Sequence, residues 1–137
     1  MDDFAPLLTD PATTIAVVGA GDDPAKWGGR IYRDLKAKGF RVMAVNPGRA
    51  TVDGDPCYPN LTALPEPPTL VDLVVPPAIT LQVLAECRAL GLQRVWIQPG
   101  AESPMVLAFL EANGFTYRVD DCIIRRTRPL PQAPHRP

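Results

Sequence analysis

The stretch "VVGAGDDPAKWGG", Val17 to Gly29, decides the fold. It opens like a dinucleotide-binding fingerprint: the β-branched apolar run "TTIAVVG" (13–19) ends in a turn carrying Gly19 and Gly21, and a helical pattern follows. Pro24 then occupies the place of the third fingerprint glycine, and the path to Gly28 and Gly29 is several residues longer. Strand, glycine loop and helix in that order put backbone N–H groups near Gly28 at a helix N-terminus, where orphan donors and the helix dipole favour an anion. Lys26 and Arg30 add positive charge, and Asp22 lies within the same loop. The residues equally suit a turn with two solvated cations.

Working outward, Trp27, Ile31 and Leu35 recur four apart among basic residues, which predicts an amphipathic helix closed by Gly39. "FRVMAVNP" (40–47) reads as strand two, and "TVDGDPCY" (51–58) as a small extra hairpin around Asp53-Gly54. "TLVDLVVPP" (69–77) supplies strand three. Ile79, Val83, Leu84 and Leu90 mark the next helix, "QRVWIQPG" (93–100) is strand four, and Ser103-Pro104 opens a helix to about Asn113. "FTYRVDD" (115–121) is strand five. This alternation predicts an α/β, doubly wound, mainly parallel five-stranded sheet with helices on both faces, Rossmann-like, whose ligands bind beyond the carboxyl ends of the strands.

Four loops gather at that edge: "GAGDDPAKWGG", "NPGR", "VPPA" and "QPGAES". An NAD-binding domain offers an acidic residue at the end of strand two; here Asn46, Pro47 and Gly48 are followed by Arg49, which favours a phosphorylated ribose and hence NADP or coenzyme A. A plain Asn-Pro turn with an exposed arginine fits the same spacing. Val75, Pro76 and Pro77 form a donor-poor apolar ledge, though proline at a helix start needs no ligand to explain it. Gln98 both donates and accepts, while Glu102 and Ser103 suit a helix cap.

Bulk properties exclude several classes of function. The 137 residues fit one domain, expected at 13–128, with an N-terminal extension (1–12) and a proline-rich, disordered tail (129–137). A formal net charge of -1 provides no broad basic face for nucleic acid, and the chain lacks both a secretory leader pattern and an apolar run near the ~18 residues of a membrane span. A cytoplasmic location is expected. Cys57, Cys87 and Cys122 are scattered, and the single histidine, His135, lies in the tail, so neither a metal site nor a histidine-based catalytic set is expected.

Taken together, "IAVVGAGDDPAKWGGRIYRDLKAKGFRVMAVNP", "GDPCYPNLTALP", "LVDLVVPPAIT", "RVWIQPGAES" and "VDDCI" resemble, in that order, the stand-alone CoA-binding proteins. These are Rossmann-type relatives of the N-terminal domain of the succinyl-CoA synthetase alpha subunit. The resemblance implies that Gly19, Gly21, Asp22, Lys26 and Gly28 belong to a loop around the CoA phosphates, and that Asn46, Pro47 and Arg49 approach the adenosine and its 3′-phosphate. It also implies binding roles for Val75, Pro76 and Pro77, and for Ile97, Gln98 and Pro99. The synthetase's catalytic histidine sits on another domain, so its chemistry does not carry over. Where many relatives place an arginine before the late cysteine, this chain has Asp121, and the acidic pair Asp120-Asp121 discourages a Cys122 thiolate.

The expected function is therefore binding of coenzyme A or an acyl-CoA without catalysis, with a protein partner or homodimer left open. An NAD(P)-dependent oxidoreductase, and a regulatory or scaffold protein with a decayed nucleotide site, are the alternatives the residues leave standing.

Overall fold

The computed structural model describes residues 4–131. At its centre lies β1 (Thr14–Val18), all five residues of which are buried, as a strand covered on both faces requires. Parallel to it run β2 (Arg41–Val45) on one side and β5 (Leu70–Leu73), β6 (Arg94–Ile97) and β7 (Thr116–Arg118) on the other. The doubly wound architecture expected from the sequence is present.

The strand count differs from that expectation. β3 (Thr51–Val52) and β4 (Asp55–Tyr58) form the hairpin, but β4 also pairs in parallel with β2, Ala44 opposite Cys57, giving a seven-stranded sheet in the order β3-β4-β2-β1-β5-β6-β7. Its two-residue turn explains the hairpin: Asp53 and Gly54 both take positive φ, 52° and 78°, which twists with the strands. Tyr32 and Lys36 then dock α1 (Trp27–Ala37) onto it, because both hydrogen-bond the Asp55 carboxylate at 2.8 Å. Lys36 holds Asp55 below the ordinary carboxylate range, with the Tyr32 hydrogen bond adding to it. Burial, then the same bond, pushes the Tyr32 phenol well up.

Two cores flank the sheet. On one face Ile15, Val17 and Trp96 meet Ile31, Tyr32 and Leu35 of α1 and Ile123 of the short α4 (Ile123–Arg126). On the other, Ala16, Val18, Val71, Leu73, Val95 and Ile97 meet α2 (Pro77–Leu90) and α3 (Pro104–Ala112), whose Ser103 cap accepts from the Val106 N–H. Alternation along each strand sorts the residues between the two cores.

Four side chains depart from the expected pattern. Trp27 is not part of the buried stripe: it is 57% exposed, with the Arg30 guanidinium 4.8 Å above its ring. Ile79 and Leu90 are also exposed, because α2 buries Thr80, Leu84 and Cys87 instead. Asp72 lies in the middle of β5, wholly buried, and neither carboxylate oxygen has a hydrogen-bond partner among the described residues. Burial pushes its carboxyl well above the usual range, favouring the neutral form in the fold.

In the described part of the expected N-terminal extension, residues 4–12, two side chains join the α1-side core. Phe4 and Leu8 are buried, Phe4 edge-on to Trp96, and the Leu130 N–H donates to the Lys38 carbonyl at the start of the expected tail. Residues 132–137, including His135, lie outside the described residues.

Candidate functional site

The carboxyl edge is organised by contacts between glycine backbones. Gly19, with φ 98°, turns the chain so sharply against β5 that a Cβ there would lie 2.3 Å from the Val74 carbonyl oxygen. A Cβ on Gly28 would lie 1.9 Å from the Gly19 carbonyl oxygen, and one on Gly29 would lie 2.5 Å from that of Gly21. Gly28 and Gly29 thus perform the close helix-to-strand packing of the third fingerprint glycine, displaced past Pro24. Gly28 supplies backbone approach and no side-chain room.

This packing leaves the first turn of α1 with no side-chain cap and no acidic residue. Its orphan N–H groups and positive dipole end lie beside the glycine loop. Lys26 stands at the N-cap, exposed, and among the described residues its ammonium has no ion-pair partner.

The loop after β2 is stapled to the glycine loop. Asn46 donates from Nδ2 to the Ala20 carbonyl at 2.9 Å and accepts at Oδ1 from the Gly48 N–H. Arg49 pairs with Asp22 at 2.8 Å, and the other Asp22 oxygen accepts from the Asp53 N–H. Thus Gly21, Asp22, Asn46 and Arg49, remote in sequence, share one wall.

A cleft of about 380 Å³ opens beside that wall, sharing Asn46. Of the residues expected at the site, Gly19, Asn46, Pro47 and Val75 line it. The volume falls within the roughly 300–1,000 Å³ of small-molecule sites. No group of three or more His, Cys, Asp or Glu side chains suited to a metal occurs among the described residues, and no helix there is long and apolar enough to cross a membrane.

With this geometry in view, comparison with known proteins is decisive: the family described as "CoA binding domain" matches residues 13–128. The chain belongs to the CoA-binding domain family. Among curated relatives, it is 36% identical over 73 residues to ADP-forming acetate–CoA ligase I of Archaeoglobus fulgidus, covering 53% of this chain and 11% of that protein. Identity is again 36%, over 84 residues, to the alpha subunit of ADP-forming acetate–CoA ligase II of Pyrococcus furiosus, covering 61% of this chain and 18% of that protein. The matched part of this chain therefore spans less than a fifth of the length of these relatives. A conserved hypothetical protein from Pyrococcus furiosus superposes with a TM-score of 0.81 at 42% identity, covering 84% of this chain and 99% of that one.

Not every expected site residue reaches the cleft of this CoA-binding domain. Pro76 is the N-cap and Pro77 the first residue of α2, and Pro99 is in an exposed turn. The Ile97 side chain is fully buried in the α2–α3 core, leaving only its backbone at the edge. Gln98 is 3% exposed and its amide is engaged internally: Oε1 accepts from the Ile123 N–H at 3.0 Å, and Nε2 points at the Cys122 sulfur at 3.3 Å. It brackets α4 to the sheet. Burial pushes the Cys87 thiol up to about 12 and raises that of Cys57, the opposite of activation.

Conversely, α2 contributes a lining not expected from the sequence, which marked Ile79 and Val83 only as helix residues. Ile79, Gln82, Val83 and Glu86 face the cleft, opposite Pro59 and Leu61. Glu86 also shapes it, accepting from the Leu61 and Thr62 N–H groups and from the Thr62 hydroxyl. The signal was present as two i, i+4 pairs, 79 with 83 and 82 with 86, on neighbouring strips of one helix.

Proposed function

We propose that this domain binds coenzyme A or an acyl-CoA along the carboxyl edge and performs no chemistry on it by itself. The observation that carries this reading is that two residues lining a mainly apolar cleft connect it to cationic groups: Gly19 packs on Gly28 in the uncapped first turn of α1, next to Lys26, and Asn46 accepts from the Arg49 N–H. CoA presents the matching sequence of groups. Its pyrophosphate suits the orphan N–H groups and Lys26, its adenosine suits the cleft between Pro47 and α2, and its 3′-phosphate suits Arg49. Val75 and the turn at Pro99 border the path left for the pantetheine arm. The family membership supports the ligand class; the assignment of each group is our inference.

An oxidoreductase reading gains nothing from the side chains. Tyr32 and Lys36 have the i, i+4 spacing of a proton-donating pair, but both are committed to Asp55 and the phenol is buried. A phenol whose proton is held this firmly is a poor acid.

Calorimetric titration of the full chain with CoA, NAD and NADP tests the proposal. CoA is expected to bind with the two dinucleotides far weaker. Preference for NADP, or no binding by any of the three, would overturn it.

A further inference from the structure

The guanidinium on which the 3′-phosphate assignment depends is not free. Arg49 Nη1 lies 2.8 Å from Asp22 Oδ2, and both side chains are about two-fifths exposed. Asp22 is fixed independently of Arg49, because Oδ1 accepts at 2.8 Å from the Asp53 N–H in the β3–β4 turn. Arg49 Nε lies 3.7 Å from where a Cβ on Gly21 would stand, so the guanidinium rests against the glycine loop. The carboxylate therefore stays in place whether or not the arginine does.

We propose that Asp22 is a charge gate on Arg49: it occupies the guanidinium in the free protein and yields it only to a ligand group more highly charged than a carboxylate. The inference rests on the CoA reading above and adds the competition that the 3′-phosphate meets on reaching Arg49. A phosphate monoester carries about two negative charges near neutral pH and competes successfully for a guanidinium; a ribose hydroxyl carries none and leaves the pair closed. Asp22 is thus a competitor for Arg49 that lowers CoA affinity, not a phosphate contact. An exposed pair of this kind is weak enough to be displaced without abolishing binding.

The test titrates wild type, Asp22→Asn and Asp22→Ser with CoA and with dephospho-CoA at low ionic strength. Asn retains an oxygen acceptor for the Asp53 N–H, and Ser serves as the charge-free alternative if the Asn variant folds poorly. Removal of the carboxylate is expected to tighten CoA by about two- to fivefold, the range open to an exposed ion pair, with dephospho-CoA unchanged. Weaker CoA binding by both variants would overturn the gate and make Asp22 a residue that positions Arg49. Equal tightening of both ligands would also overturn it, as a general charge effect. Wild type that binds CoA no better than dephospho-CoA would instead refute the 3′-phosphate assignment itself, and the gate with it.

Discussion

Gly28 has its α-carbon turned so closely toward Gly19 that an added methyl would lie 1.9 Å from the Gly19 carbonyl oxygen. The contact joins the first turn of α1 to the end of β1 and so sets the height of the helix N-terminus above the sheet. Gly28→Ala is expected to lower stability by about 1–3 kcal/mol, as overpacking of rigid backbone does. It should also weaken CoA by displacing the N–H groups. Urea denaturation together with titration checks both; an alanine variant of unchanged stability would show that the loop is not held this tightly.

Gln98 is expected to matter for stability more than for ligand. Gln98→Leu leaves the Ile123 N–H without its acceptor, at a cost of about 1–3 kcal/mol for a buried donor. CoA affinity should change little. A large loss of affinity in a variant of normal stability would return Gln98 to the ligand.

Asp72 predicts a pH dependence with a definite sign. Its carboxyl favours the neutral form in the fold, held above the unfolded-state value near 3.9, so the folded chain binds the extra proton and stability falls as pH rises above about 4. The loss runs at up to about 1.4 kcal/mol per pH unit until the folded-state value is passed. Asp72→Asn removes this slope. Denaturation of both proteins from pH 4 to 8 should show the variant gaining on wild type as pH rises; parallel profiles would mean that Asp72 finds a partner.

Tyr32 is expected to ionise well above the ordinary range of a tyrosine. Its raised phenol contributes stability that is fully present below about pH 10 and lost above it. Ultraviolet titration of wild type and Tyr32→Phe isolates it: the difference should show a phenol that ionises only with unfolding. A Tyr32 signal near pH 10 in folded protein would contradict its burial.

What the sequence made legible follows from the range of the interactions involved. β1, β2, β5 and β6 announce themselves by local β-branched runs, and the three long helices by their starts and stops, so the doubly wound plan could be read directly. The edge pairing of β4 with β2 could not, since "DPCY" contains a proline and has no hydrophobic alternation. Phe4 on Trp96 is a contact across most of the chain, invisible to any local pattern. At the candidate site, Asn46, Pro47 and Val75 line the cleft, and loop position alone places them at the carboxyl edge. The α2 lining was not legible, since Gln82 and Glu86 look like an ordinary solvated strip until the loop at Pro59 to Leu61 is laid across them. Nor does any local pattern show that Gly28 packs its backbone against Gly19.

The central claim is that the carboxyl edge receives CoA with its 3′-phosphate on Arg49. Its most direct test is the ratio of dissociation constants for dephospho-CoA and CoA, measured calorimetrically in wild type and in Arg49→Ala. The account predicts a ratio of about tenfold or more in wild type, as one charge-assisted contact of about 1.5 kcal/mol gives, collapsing toward one in the variant. A ratio near one in wild type, or a wild-type preference that survives intact in Arg49→Ala, would contradict it.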